Sequence, residues 1–118
     1  MPDSALEKSL LYDFYGELLS EKQRDAFDLY YNDDLSLAEI AVEWGTSRQN
    51  VFDALKKAES AVAKLEAKTG LVRRYEAMTS AIDSLDKKLT ELRSALPESA
   101  RGAIDDIRAD IERLRDGI

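Results

Sequence analysis

The sequence predicts an all-α chain, and three observations predict it. Apolar residues recur at spacings of three and four along most of the chain, the period of one helix face. Apolar/polar alternation never persists beyond a few residues, so strand signals are nearly absent. Serines followed three positions later by Glu or Gln, together with Gly and Pro, punctuate the chain where helices need to start and stop. The expectation is five or six helices, in two parts: a helix-turn-helix domain over residues 1–70 and coiled-coil-like helices over residues 71–118.

The first helix is expected over residues 4–19. Ser4 and Glu7 form a capping box, and Leu6, Leu10, Leu11, Phe14, Tyr15 and Leu18 give a broad apolar face. Tyr12 and Tyr15 read as core residues on that periodicity rather than as partner contacts. Ser20 and Gln23 then open a second helix with Ala26, Phe27, Tyr30 and Tyr31 on its apolar side. Asn32, Asp33 and Asp34 break the periodicity and read as a loop. Two adjacent carboxylates without a third ligand at suitable spacing point to a solvated turn, not a metal site.

Residues 36–59, SLAEIAVEWGTSRQNVFDALKKAE, read as helix, tight turn and helix. Ser36 and Glu39 form a capping box, and Leu37, Ile40 and Ala41 follow a helical period. Gly45 marks the turn, because glycine accepts a left-handed backbone without steric cost. Ser47 caps the next helix, whose buried stripe is expected to be Val51, Ala54, Leu55 and Ala58. Ala41 is small where the two helices cross. The stripe continues through Val62 and Leu65 to Lys68, and Thr69–Gly70 supply the stop. The second helix of such a motif enters a DNA major groove in many proteins. If it touches nucleic acid here, the contacts fall on Ser47, Arg48, Gln49, Asn50, Lys56, Lys57 and Lys64. Helical projection turns Gln49, Asp53, Lys56, Lys57, Ser60 and Lys64 outward.

From Leu71 onward the pattern narrows to seams flanked by charge. Val72, Tyr75, Met78, Ile82, Leu85, Leu89, Leu92 and Leu96 follow one another at threes and fours until Pro97 ends the helix. Ile104, Ile107, Ile111, Leu114 and Ile118 repeat the pattern in a last helix. Ile82, Leu85, Leu89 and Leu92 with Ile104, Ile107, Ile111 and Leu114 are therefore the expected seam, closing either on itself as a hairpin or on another chain. Homodimer formation is the expectation, because two seams in so small a chain leave apolar surface that one core does not cover.

The chain has 118 residues, 44% hydrophobic and 35% charged, with a net charge of −7. An acidic total disfavours strong non-specific DNA binding, which depends on phosphate neutralisation. The local balance differs: between Ser47 and Lys68, Arg48, Lys56, Lys57, Lys64 and Lys68 outnumber Asp53, Glu59 and Glu66. There is no cysteine and no histidine. That excludes disulfides, Cys/His zinc sites and imidazole or thiol catalysis, and it fits a reducing cytoplasm. No Gly-rich phosphate loop occurs. Asp105, Asp106, Asp110 and Glu112 interleave with Arg101, Arg108, Arg113 and Arg115, which reads as an exposed helix with intrahelical ion pairs. The reading is a cytoplasmic, non-enzymatic protein without cofactor. The N-terminus lacks the features of a secretory signal, and no stretch is long and apolar enough to span a membrane.

Residues 18–59, LLSEKQRDAFDLYYNDDLSLAEIAVEWGTSRQNVFDALKKAE, resemble the fourth region of bacterial sigma factors. The likeness lies in the helix opening at Ser20, the Tyr30–Tyr31 pair, SLAEIA, Gly45, Ser47–Arg48 and Val51. Over residues 10–75, with LLYDFYGELLSEKQ included, the chain resembles the YlxM family of small helix-turn-helix proteins. Members are typically encoded beside the signal recognition particle protein in Gram-positive bacteria and have been linked to that particle. The resemblance therefore implies a regulatory or accessory protein of the signal recognition particle pathway, meeting its protein or its RNA. The alternatives are a transcription regulator that reads duplex DNA with the same helix, and a helical adaptor between proteins. Phe52 and Asp53 depart from the sigma pattern, which places arginine or glutamine on that outer face. The resemblance ends near Tyr75.

Overall fold

The computed structural model describes residues 5–117. Ser4, half of the expected first capping box, and Ile118, the last seam residue, lie outside them. The described residues form six α-helices and no strand: α1 (Ala5–Tyr15), α2 (Glu21–Phe27), α3 (Leu37–Trp44), α4 (Arg48–Thr69), α5 (Leu71–Ala95) and α6 (Glu98–Asp116). The fold is all-α. The chain divides into two compact units, Met1–Val72 and Arg73–Ile118, with the boundary inside α5.

In the first unit, α4 is the spine against which α1, α2 and α3 pack. Its stripe Val51, Ala54, Leu55, Ala58 and Val62 is buried, as its periodicity requires. One core cluster joins these residues to Tyr15, Leu19, Ala26, Phe27 and Val72. A second, made of Ile40, Ala41 and Val51, sits where α3 crosses α4. The small side chain of Ala41, 5% exposed, allows that crossing. Trp44 packs against both clusters.

The first helix is shorter than its apolar pattern predicts. It stops at Tyr15, and Gly16–Leu18 tighten into a 3-10 turn. A Cβ on Gly16 would lie 3.4 Å from the Tyr12 ring, so a small residue suits this close turn. Three residues per turn instead of 3.6 rotates the stripe. Leu19 enters the core at 6% exposure and Leu18 turns out at 68%, the reverse of a continuous helix. Leu6 is also exposed, so the broad apolar face narrows to Leu10, Leu11 and Tyr15 with Tyr12 half-buried.

The second helix opens on the expected capping box, with Ser20 Oγ accepting from Gln23 N and Gln23 Oε1 accepting from Ser20 N. It then widens into a π-helical turn over Asp28–Asn32, so Asn32 belongs to the helical run rather than to the loop. Asp33 N donates to Asp28 O at 3.1 Å across five residues, and Asn32 Nδ2 donates to Asp28 Oδ1 at 2.7 Å. Asp34 adopts a left-handed φ of 57°, and Leu35 N closes on Leu29 O at 3.0 Å. The widened turn sets Tyr31 against Phe27 at 4.8 Å between ring centres, and the Tyr31 hydroxyl donates to the Glu59 carboxylate of α4.

In the second unit, α5 and α6 form an antiparallel hairpin about Pro97. Arg93 pairs with Asp105 at 2.8 Å, Arg108 with Asp86 at 3.1 Å, and Arg115 with Asp83 at 3.0 Å. These contacts correct the reading of the last helix as purely intrahelical pairing. Arg113–Asp110 and Arg115–Glu112 are intrahelical, at a spacing of three. Asp105 and Arg108 instead reach the neighbouring helix, and Arg115 reaches it as well as holding Glu112, because those positions flank its buried stripe. The Arg93 guanidinium holds the Asp105 carboxyl below the usual carboxylate range, chiefly by direct hydrogen bonding.

Candidate nucleic-acid interface

The turn between α3 and α4 is built locally. Ser36 Oγ accepts from Glu39 N at 3.1 Å, and Glu39 Oε1 accepts from Ser36 N at 2.9 Å. The Ser36 backbone N–H is the main cause of the lowered Glu39 pKa. At the other end of α3, Gly45 has φ 68° and ψ 38°. Thr46 N donates to Ala41 O at 3.0 Å and Gly45 N to Val42 O at 3.2 Å, the two bonds of a Schellman closure. Three residues, Gly45, Thr46 and Ser47, separate the helices. That is a helix-turn-helix.

The expected contact residues divide by what they already hold. Ser47 caps α4, its Oγ accepting from Asn50 N at 3.1 Å. Asn50 Nδ2 donates to Thr46 Oγ1 at 2.7 Å. These two residues are exposed yet engaged in fixing the turn. Gln49 Nε2 donates to Asp53 Oδ1 at 2.9 Å. Lys56 pairs with Glu59 at 3.4 Å and lies 5.4 Å from the Phe52 ring centre. Arg48, Lys57 and Lys64 are exposed and have no ion-pair partner among the described residues.

All three carboxylates of α4 are held internally. Asp53 accepts from Gln49, Glu59 accepts from Tyr31 and pairs with Lys56, and Glu66 accepts from the Tyr15 hydroxyl and from Val72 N. Glu59 and Glu66 are half-buried, so Asp53 is the exposed carboxylate that α4 sets against its outward cations. Two grooves border this surface. Leu37, Ser47, Arg48, Gln49 and Phe52 line one, and Ser20, Lys22, Gln23, Asn50, Asp53 and Lys57 line the other. Lys22 is a residue that sequence reasoning missed. Only the tertiary packing of α2 on α4 brings it beside Lys57, and no local spacing signals that. The seam residues are in the other unit: Ile82 and Ile104 are buried, Leu89 and Ile111 half-buried, and Leu85, Leu92, Ile107 and Leu114 exposed.

Exposed cations and side-chain amides of this kind are able to neutralise phosphate and donate hydrogen bonds. Among the described residues, no group of three or more acidic side chains is placed to hold a metal ion, and no helix is long and apolar enough to cross a membrane.

Fold and turn define the class: an all-α helix-turn-helix protein. The family model described as "Putative helix-turn-helix protein, YlxM / p13 like" matches residues 3–99, and the chain belongs to this family, UPF0122. It is 42% identical over 116 residues to a UPF0122 protein of a Thermoanaerobacter species, covering 97% of this chain and 98% of the relative. A UPF0122 protein of Caldanaerobacter subterraneus subsp. tengcongensis is 47% identical over 85 residues, 72% of this chain and 73% of the relative. One from Listeria innocua is 38% identical over 100 residues, 85% of this chain and 90% of the relative.

Proposed function

We propose that this protein is a non-enzymatic regulatory or accessory protein of the signal recognition particle pathway, and that its helix-turn-helix meets the particle's RNA through α4. One observation carries the nucleic-acid part: Arg48, Lys57 and Lys64 are exposed, with no ion-pair partner among the described residues, while Glu59 and Glu66 are half-buried and bonded to tyrosine hydroxyls and Asp53 accepts from Gln49. Exposed cations on a helix suit an RNA backbone, which is recognised largely through shape and phosphate contacts. The setting comes from the family resemblance. Contact with the particle's protein is the other form of the same reading, since an acidic body is steered toward a basic surface.

A second reading has its own support. The Ser47 cap presents Arg48 and Gln49 at the start of α4, where recognition helices touch base edges. That placement supports a duplex DNA reader in transcription control. Fluorescence anisotropy with the particle RNA, with the particle protein and with duplex DNA separates these readings. The RNA is expected to bind with affinity falling as salt rises. Arg48→Ala with Lys57→Ala is expected to weaken binding and reduce the salt slope by about 2, one for each phosphate no longer neutralised. Selective binding to a promoter fragment, with neither particle component bound, would overturn the first reading in favour of the second.

A further inference from the structure

Each helix of the α5–α6 hairpin carries two apolar columns at heptad spacing. On α5, Ile82, Leu89 and Leu96 form one column and Leu85 and Leu92 the other; on α6, Ile104 and Ile111 form one and Ile107 and Leu114 the other. The first column of each helix is buried or half-buried. The second is open: Leu85 is 51% exposed, Leu92 47%, Ile107 45% and Leu114 56%.

The interhelical ion pairs orient these columns. Asp86 and Arg93 on α5, and Arg108 and Arg115 on α6, border the buried columns on the side away from the open ones. At 100° per residue in two antiparallel helices, this puts both open columns on the same side of the hairpin. The pairs Arg93–Asp105 and Asp83–Arg115 also set the register. Leu92 lies level with Ile107, and Leu85 with Leu114, each to within one residue. The opposite side carries Asp83, Lys87, Thr90 and Ser94 from α5 with Asp105 and Glu112 from α6, all exposed. The hairpin is thus a two-helix layer that is apolar on one side only.

We propose that a second copy of this chain covers that side, the two hairpins stacking into an antiparallel four-helix bundle. A two-fold axis parallel to the helices keeps every residue at its own level and sets α5 of one copy against α6 of the other. Leu92 and Ile107 then complete a four-residue layer with their symmetry mates, and Leu85 and Leu114 complete a second. Charge points to the same occupant. Lys88 edges the apolar side on α5 and Asp110 edges it on α6, at the same level, and both are exposed. One lysine on one edge and one aspartate on the other make the surface complementary to itself at that level under this axis. Lys88 of each copy meets Asp110 of the other, beside the Arg113 that Asp110 already holds.

The full chain is expected to sediment as a dimer at high micromolar concentration. Leu92→Glu is expected to weaken dimerisation by roughly a hundredfold, since two half-exposed leucines lose their cover. Circular dichroism checks that this variant keeps its helices. Lys88→Glu is expected to weaken the dimer roughly tenfold, and adding Asp110→Lys in the same chain to restore it. The chain has no cysteine, so Lys88→Cys mixed with Asp110→Cys gives a clean test with a short bismaleimide. Cross-linking in the mixture but in neither variant alone supports the antiparallel arrangement. A monomer throughout, a dimer indifferent to Leu92→Glu in a helical variant, or cross-linking of Lys88→Cys to itself would each overturn it.

Discussion

Tyr15→Phe tests the joint that holds the first unit together. The Tyr15 side chain is 2% exposed, and its hydroxyl donates to Glu66 Oε1 at 2.6 Å and meets Thr69 Oγ1. The same Glu66 oxygen accepts from Val72 N at 3.0 Å, so one carboxylate ties α1 and the last turn of α4 to the first turn of α5. Phenylalanine keeps the ring and its packing, so no cavity opens. A hydrogen bond to a charged group contributes about 1.5–3 kcal/mol and one to a neutral hydroxyl about 0.5–1.5 kcal/mol. The sum is discounted because the acceptors are half-buried and water replaces part of the loss, leaving about 2 kcal/mol. For a unit of this size that lowers the melting temperature by about 8–16 °C. Urea unfolding followed by circular dichroism measures the difference directly. Burial, and then the bond to Glu66, raise the Tyr15 pKa. The stabilisation is therefore complete below the unfolded value near 10 and is lost as pH rises through the folded value. The gap between wild type and Tyr15→Phe must shrink in alkali. A variant within about 0.5 kcal/mol of wild type at pH 7, or a gap that widens in alkali, would refute this reasoning.

The Gly45→Ala variant is expected to lose about 1 kcal/mol through left-handed strain alone, because no atom lies within 4 Å of the added Cβ. Gly45→Asn should recover part of that in the same urea titration, and a loss near 3 kcal/mol would mean a clash the geometry does not contain. Glu39→Ala is expected to destabilise the chain at neutral pH by breaking the capping box. The folded Glu39 pKa is depressed by the Ser36 N–H, so its contribution is present above the unfolded value and lost as pH falls through the folded one. The melting curves of wild type and Glu39→Ala should therefore converge on acidification, and a constant offset would count against the cap.

What the sequence makes legible is what is decided within four or five residues. Ser36, Glu39, Gly45 and Ser47 each act on a neighbouring backbone group, so the helix-turn-helix can be placed residue by residue and the structure agrees with it. The end of the opening helix is illegible for the opposite reason. Leu18 and Leu19 are equally apolar, and the 3-10 turn at Gly16–Leu18, not their chemistry, decides which enters the core. The pairing of Asp105, Arg108 and Arg115 across the hairpin is hidden because each also has an opposite charge nearby in sequence. Lys22 is invisible as a neighbour of Lys57, since their proximity depends on how α2 lies on α4.

The net charge of −7 and the free cations of α4 act over different distances. At physiological ionic strength the screening length is about 8 Å. A phosphate held against Arg48, Lys57 or Lys64 lies inside that range and meets the local cations. A nucleic acid still approaching meets the acidic body first, and lowering the salt extends that repulsion along with the attraction. Under the proposed nucleic-acid reading, long-range steering contributes less here than in a basic helix-turn-helix protein, and affinity has to come from contacts made after docking. The internal restraint of Asp53, Glu59 and Glu66 matters for that reason. It turns Glu59 and Glu66 into the fold, while Asp53 stands at the groove that Lys57 also lines, so the surface can be selective without being generally attractive. Asp53 is the residue on which this balance turns. While Gln49 holds it, Asp53 is an occupied acceptor beside Lys57; if Gln49 swings to a base edge, Asp53 is released beside the same groove and penalises any register that does not offer it a donor.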